Sequence, residues 1–143
     1  MAKSKNNYAG FWLRFTAWII DALIVVAAVL VIAVPTGAIT AFYTGFNSML
    51  IACFILTAIV IGWLYCAGLE SSKDQATIGK RTMNIKVVDE KGRRISFARA
   101  TGRHFGKMLS SIILGIGYIM IGFTDKKQGL HDMLANTYVV RTK

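Results

Sequence analysis

Two long runs of apolar residues dominate the pattern of hydrophobic and polar positions along the chain. The first extends from Phe11 to Val34 and is interrupted by Arg14, Thr16 and Asp21. The second extends from Phe46 to Leu69 and contains no charged residue. About twenty residues of helix cross the hydrocarbon core of a bilayer. The pattern therefore predicts two transmembrane helices, over about residues 11–34 and 46–69.

A third apolar stretch, from Met108 to Phe123, is shorter and is broken by Gly115, Gly117 and Gly122. At about 1.5 Å per residue, a straight helix of this length reaches only about 24 Å, which is marginal for a membrane span. Two topologies stay open at this point. The segment over about residues 108–123 either re-enters on the side from which it came, turning near Gly115, or crosses fully as a third span.

The polar region before this stretch predicts a small β-sheet. Residues 82–88 alternate apolar and polar side chains, residues 89–92 have turn composition, and residues 93–96 follow. This is the pattern of a β-hairpin over about residues 82–96. A lone hairpin is marginal in water, and residues 137–141 have the same strand character. We therefore expect the C-terminal segment to add a third strand.

The distribution of charge orients these segments. The 143-residue chain is 55% hydrophobic and 17% charged, with a formal net charge of +10, whereas soluble domains are nearer a quarter charged. No basic residue lies between Pro35 and Gly45, but ten lie between the second and third apolar stretches and four follow the third. Cytoplasmic loops carry the Lys and Arg excess, so we expect a multi-pass protein with a cytoplasmic N-terminus. A re-entrant third segment would place the C-terminus there too.

The same distribution indicates which anion the basic groups meet. They flank apolar runs instead of alternating with aromatic residues on a polar chain, which favours phospholipid headgroups over nucleic acid. Arg99, Arg103 and Lys107 have helical spacing and lie on one face of a helix predicted over residues 97–109. We expect this basic stripe to contact anionic headgroups. A solvated charged face is the alternative.

Asp21 is the first candidate for chemistry, because an ionised side chain inside a span costs from about 2.5 kcal/mol upward. Arg14 lies two helical turns earlier, about 10 Å along the axis, which is too far for direct pairing. Asp132, with His131 beside it, is the stronger distant partner, and Asp125 is the weaker. Two hypotheses stay open: these residues form an ion or proton path, or they form a buried salt-bridge network that fixes helix packing.

The remaining motifs argue against an enzyme and against a cofactor or metal site. Cys53 and Cys66 are about 20 Å apart along one predicted helix, and the chain contains neither Cys-x-x-Cys nor His-x-x-x-His. Residues 77–81 lack the spacing of a phosphate loop, and no serine lies in a Gly-x-Ser-x-Gly elbow. We therefore expect a non-enzymatic membrane protein with no cofactor and no metal.

Several short segments together carry a family resemblance: Tyr8–Arg14, Ile20-Asp21, Thr77–Arg81, Arg99-Ala100 with Arg103, Gln128–Asp132 and Thr137–Val140. In their order and spacing, the chain resembles the RDD family of small integral membrane proteins over nearly its full length. That family takes its name from one arginine and two aspartates. The resemblance assigns these to Arg14, Asp21 and Asp132, with Asp125 as the competitor for the last position.

The resemblance implies one membrane domain over residues 1–143, in the cell inner membrane. The expected fold is an α-helical membrane protein with two transmembrane helices, a third re-entrant or short membrane helix and a small cytoplasmic sheet. The implied function is transport-related, either cation/proton exchange or movement of a small solute. Two or three spans do not enclose an alternating-access pathway, so a homo-oligomer or other membrane subunits are implied. The alternative is a non-catalytic accessory, structural or assembly subunit of a larger complex.

Overall fold

The structure is a computed structural model that describes residues 8–44, 48–112 and 116–142. The elements in these residues are, in chain order, α1 (Phe11–Thr44), α2 (Ser48–Glu70), α3 (Ile78–Thr82), β1 (Ile85–Asp89), α4 (Phe97–Ile112), α5 (Ile116–Phe123), α6 (Leu130–Leu134) and β2 (Thr137–Arg141).

Helices α1 and α2 are the two long apolar helices. Each is long and apolar enough to cross a membrane, over Phe11–Tyr43 and Ser48–Glu70. Most of their large apolar side chains are exposed on the protein surface, as is expected of helices surrounded by lipid. The predicted class, a helical membrane protein with a small sheet, is confirmed.

Helix α1 is longer than the sequence predicts. The predicted end at Val34 is wrong, because the helix continues through Pro35 to Thr44. Proline removes a backbone hydrogen bond and ends most helices in water, but threonine hydroxyls can satisfy the freed carbonyl groups in a transmembrane helix. Here the hydroxyl of Thr36 donates to the carbonyl oxygen of Ile32 at 2.9 Å, one residue after Val31, whose carbonyl loses its helical partner at Pro35.

The connection predicted over residues 35–45 is therefore mostly helix. Helix α2 begins at Ser48, and the predicted start of the second span at Phe46 lies outside the described residues. The second predicted span otherwise agrees with α2 to within one residue at its end.

Helices α4 and α5 correspond to the third apolar stretch and the amphipathic segment before it. Together they are long and apolar enough to cross a membrane, but their axes differ by 98°. Such a bend is consistent with a broken span and with a re-entrant segment, the two topologies that the sequence leaves open. The predicted turning point at Gly115 lies outside the described residues.

The sheet has two strands among the described residues. Strands β1 and β2 pair antiparallel, with Ile85 opposite Arg141 and Asp89 opposite Thr137. The C-terminal strand is confirmed over residues 137–141, but it pairs directly with β1.

The hairpin predicted over residues 82–96 is wrong, because residues 93–96 form no strand. The chain instead closes a tight turn in which the Asp89 amide donates to the carbonyl oxygen of Arg93 at 2.9 Å. The edge of β1 that a hairpin arm needs is also occupied. The Val87 amide donates to the carbonyl oxygen of Gln75 at 2.8 Å.

The sheet joins three distant parts of the chain. Tyr8 forms an antiparallel bridge with Val140, and the Ala9 amide donates to the carbonyl oxygen of Val139 at 2.8 Å. Because β1 follows α2, the start of α1, the end of α2 and the C-terminal strand all lie at one end of the helices. The buried apolar core lies at this same end and consists of Ala9, Ala17, Ala67, Ile85, Val87, Ile95, Ala100 and Val139.

Candidate functional site

Six charged side chains from five helices meet beside this core. We call them the ionic cluster: Arg14 of α1, Glu70 of α2, Lys80 of α3, Arg103 and Lys107 of α4, and Asp132 of α6.

Asp132 is the carboxylate that binds Arg14 of α1. Its side chain is fully buried. Its Oδ2 accepts from Arg14 Nη1, and its Oδ1 accepts from Arg103 Nε at 2.7 Å. Burial by itself would raise the pKa of Asp132, but the guanidinium groups of Arg103 and Arg14 outweigh it and hold the pKa well below its ordinary value. Asp132 is therefore ionised at neutral pH.

Arg14 also holds the loop before α6. Its Nη2 donates to the carbonyl oxygen of Lys127 at 2.5 Å, and its Nε donates to that of Ala9 at 3.0 Å. The sequence proposed Asp132 or Asp125 as the distant partner of Arg14. The structure places Asp132 on Arg14, whereas Asp125 is exposed.

Arg103 connects the two buried carboxylates. While its Nε donates to Asp132, its Nη1 donates to Glu70 Oε2 at 2.7 Å. The residue is 2% exposed. Breaking one partner away from such a buried pair costs about 3–5 kcal/mol, because the remaining charge is left uncompensated.

Glu70, at the end of α2, accepts from two ammonium groups. Its Oε1 contacts Lys80 Nζ and lies 3.3 Å from Lys107 Nζ. Burial lowers the pKa of Lys80 to about 8, and the attraction of Glu70 opposes this only in part. The ionic cluster thus contains more basic than acidic groups.

The prediction that Arg103 on α4 contacts lipid headgroups is wrong. The three residues do have helical spacing, but the face that bears Arg103 and Lys107 turns inward to Glu70. Arg103 is buried, the Lys107 side chain is 23% exposed, and Arg99 is fully on the surface. Headgroup contact stays a prediction for Arg99 and for the partly exposed Lys107.

Asp21 belongs to a second group, the Asp21 cluster, made with Tyr65, Thr77 and Gly79. Its Oδ1 accepts from the Tyr65 hydroxyl and the Gly79 amide, both at 2.7 Å. Its Oδ2 accepts from the Thr77 hydroxyl at 2.5 Å. All three donors are neutral. Asp21 is 8% exposed, and hydrogen bonds from neutral groups satisfy its carboxylate without a contact to Arg14.

Gly79 explains why the Thr77–Arg81 segment can dock on α1. A side chain at this position would place its Cβ 2.8 Å from Asp21 Oδ1 and still closer to the carbonyl oxygen of Ala17. Thr77 is also the N-cap of α3 and accepts from the Lys80 amide. The short helix is thus held at its first turn and places Lys80 on Glu70.

A cavity of about 550 Å³ lies between the two clusters. This volume is within the usual range for small-molecule sites. Its charged lining residues are Arg14, Asp21, Lys80, Arg103 and Lys107, and its apolar lining includes Phe15, Trp18, Met108, Ile119 and Ile121.

His131 lines the same cavity and is 3% exposed. Burial lowers its pKa to about 3, so the imidazole is neutral at physiological pH. Its Nδ1 is buried and has no hydrogen-bond partner among the described residues. Buried polar atoms are nearly always hydrogen-bonded, so this nitrogen calls for an explanation.

Four predicted residues thus border one cavity or its charged wall: Arg14, Asp21, His131 and Asp132. The sequence missed Glu70, Lys80, Tyr65 and Thr77. The sequence did contain a signal for Glu70, because it is the acidic residue that ends a span without other charges.

Within residues 8–44, 48–112 and 116–142, no group of three His, Cys, Asp or Glu side chains could hold a metal ion.

Comparison with known proteins gives a family and several relatives. The model of the RDD family matches residues 8–136. Three proteins of Bacillus subtilis (strain 168) are similar over most of their length. "Uncharacterized protein YxaI" is 38% identical, over 92% of this chain and 96% of its own. "Uncharacterized membrane protein YteJ" is 28% identical, over 96% and 84%. "Uncharacterized protein YckC" is 30% identical, over 92% and 83%. No solved structure matches the chain.

Proposed function

Because the chain belongs to the RDD family of membrane proteins, we propose that it is a transport-related protein that moves a small anionic solute across the cell inner membrane. The observation that carries this proposal is the cavity between the two clusters. It combines a volume suited to a small molecule with a charged wall in which basic groups exceed acidic ones.

The charge of this wall favours an anion over cation or proton exchange, the other transport chemistry that the sequence left open. A cation path needs a carboxylate free to bind the ion. Asp21, Glu70 and Asp132 each accept from at least three donors. Lys107, in contrast, is the partly exposed cation of the ionic cluster.

Topology and assembly are parts of the same proposal. Tyr8, β1 and β2 meet in one sheet region, which favours an N-terminus and a C-terminus on the same side and a re-entrant α4–α5 pair. The basic residues after α2 favour the cytoplasm as that side. Two spans do not enclose a pathway, so the transporting unit is an oligomer.

The test is flux into liposomes that contain the purified protein. The probes are butyl phosphate, butyl sulfate and inorganic phosphate, which are charged and cross bilayers poorly without a carrier. We expect uptake above protein-free liposomes for at least one probe. A Lys107→Met variant should lower it about tenfold, as expected for the loss of a charge-assisted contact, whereas Arg99→Met on the same helix should not.

A sodium pulse with a pH-sensitive dye inside the same liposomes tests the competing exchange. We expect no response above empty vesicles. A sodium-dependent pH change with no uptake of any anion would refute the proposal in favour of cation/proton exchange.

A second candidate is a non-catalytic accessory or assembly subunit. One observation favours it: the carboxylates of both clusters are engaged in holding helices together, as in a structural staple. Under this alternative the protein moves neither anions nor protons in liposomes, and a second protein copurifies with it in mild detergent. Loss of that second protein in Glu70→Gln, with no flux in the wild type, would support the accessory role.

A further inference from the structure

The cavity between the two clusters has walls of two kinds. We call the charged and mostly buried part of its lining, the basic groups of the ionic cluster together with His131, the inner wall. We call the exposed apolar part, Phe15, Trp18 and Ile119, the outer wall. A ligand that fills both parts must carry an acidic group at one end and an apolar body at the other.

The outer wall faces the surroundings of the protein. Trp18 is 62% exposed and Ile119 is 55% exposed although both line the cavity. Trp18 lies within the membrane-spanning part of α1, so its exposed surface meets lipid. A ligand can therefore reach the cavity sideways from the bilayer, which favours a molecule that already resides there.

The net charge around the cavity favours a ligand with one acidic group. Four basic side chains belong to the ionic cluster, against Glu70 and Asp132, and Asp21 adds a third carboxylate at the cavity wall. One positive charge is therefore in excess. Uncompensated buried charge is unfavourable, and a ligand with a single net negative charge balances it.

Lys107 and His131 are the groups best placed to meet that charge. Lys107 Nζ is 3.3 Å from a Glu70 oxygen that Lys80 already contacts. Lys107 therefore makes the weaker contact with this carboxylate. His131 contributes a buried Nδ1 without a partner among the described residues, and His104, which also lines the cavity, contributes another. A phosphate diester accepts hydrogen bonds from both types of side chain.

We propose that this cavity is a binding site for an anionic phospholipid of the surrounding bilayer, with its phosphate beside Lys107 and His131 and an acyl chain along the Trp18 wall. As the identity of the transported solute, the inference rests on the transport function proposed above, whereas binding of the lipid to the cavity is tested separately. The site differs from headgroup contact on the surface, because the lipid is held between α1, α4, α5 and α6.

Native mass spectrometry of the detergent-solubilised full chain tests binding apart from flux. The probes are phosphatidylglycerol, phosphatidylcholine with the same acyl chains, and glycerol phosphate as a head without a tail. We expect one retained phosphatidylglycerol per chain and about tenfold weaker retention of the choline lipid. Lys107→Met should reduce phosphatidylglycerol retention about tenfold, Lys107→Arg should restore it, and Arg99→Met should leave it unchanged.

Each other result is decisive as well. Equal retention of the two lipids overturns the inference, because the charge of the head then has no role. Retention of glycerol phosphate as tight as that of the lipid overturns it too, because the apolar wall then contributes nothing. An equal loss in Arg99→Met and Lys107→Met places the lipid on the surface. Uptake of butyl phosphate without lipid retention supports the transport proposal and refutes lipid binding. Lipid retention without any flux supports lipid binding and refutes the transport proposal.

Discussion

Two buried polar groups join the membrane helices to the segments that follow them, and they use different chemistry. In the ionic cluster, Glu70 and Asp132 are neutralised by lysine and arginine side chains. In the Asp21 cluster, the carboxylate accepts from two hydroxyls and one backbone amide, all of them neutral. Both clusters dock a short helix, α6 in the first and α3 in the second.

The difference between the clusters concerns what remains when one member is removed. A missing carboxylate in the ionic cluster leaves buried cations that face one another. A missing carboxylate in the Asp21 cluster leaves neutral donors, whose desolvation is far less unfavourable. The Asp21 cluster also uses no basic group, so the basic groups beside the cavity stay available for the ionic cluster and a ligand.

The largest effect is expected from Glu70→Gln. The substitution leaves Lys80 and Arg103 without their shared negative partner, and we expect a loss of about 3–5 kcal/mol in the free energy of unfolding. The measurement is unfolding in SDS followed by tryptophan fluorescence. Glu90→Gln, at the exposed turn after β1, is the matched control and should leave unfolding unchanged.

A double variant sharpens this result. Adding Lys80→Met to Glu70→Gln removes one of the unpaired charges, so stability should partly recover, and the two substitutions should be non-additive. Strict additivity would show that Glu70 and Lys80 do not interact, contrary to the arrangement of the ionic cluster.

The next effect is expected in the Asp21 cluster, from Gly79→Ala. The added methyl group meets the backbone oxygen of Ala17 and the carboxylate of Asp21, so α3 must move away from α1. We expect a loss of about 2–3 kcal/mol in the same unfolding assay. Gly102→Ala is the control, because its Cβ meets nothing within 4 Å and alanine favours helix by up to about 1 kcal/mol.

Acidification should lower the free energy of unfolding through His131. Its folded pKa of about 3 is below the ordinary value of 6.5, so the unfolded chain binds a proton that the folded chain does not. Stability therefore falls as pH decreases from about 6.5 toward 3. Between pH 7 and pH 5 we expect His131 to contribute a loss of about 2 kcal/mol in the free energy of unfolding.

His131→Gln provides the comparison for this pH dependence, because it does not titrate. Asp132 contributes nothing over this interval, since its ordinary pKa is 3.8 and its folded pKa is lower still. An unchanged pH slope in His131→Gln would mean that the imidazole is already solvated in the folded protein.

The smallest effect is expected from Asp21→Asn. The amide oxygen can still accept from Tyr65 and Gly79, and the amide nitrogen can donate to the Thr77 hydroxyl. We therefore expect a loss of about 1 kcal/mol in the free energy of unfolding. A loss as large as that of Glu70→Gln would erase the distinction between the two clusters.

The sequence predicted the features that depend on local pattern. Long apolar runs identified α1 and α2, alternation identified β1, and strand composition identified β2. It failed where a distant contact decides the outcome. Gln75 takes the edge of β1 that a hairpin arm would need. The continuation of α1 through Pro35 is a separate failure, because the nearby Thr36 hydroxyl makes only a local hydrogen bond, to Ile32.

The site was predictable to a similar degree. A charged residue within an apolar run signals a buried partner, which singled out Arg14 and Asp21. Helical spacing placed Arg103 on one face of α4, but spacing does not say whether that face turns toward lipid or toward Glu70. Only the packing of α4 against α2 decides it.

The bond between Arg14 and Asp132 connects residues 118 positions apart, and this separation sets an order of events during synthesis. Chains emerge from the N-terminus, so α1 reaches the membrane while the segment that contains Asp132 has not yet been made. At that stage Arg14 lacks its partner carboxylate. The segment that contains Asp132 binds α1 only after it has been made, so chains truncated before α6 cannot complete this step.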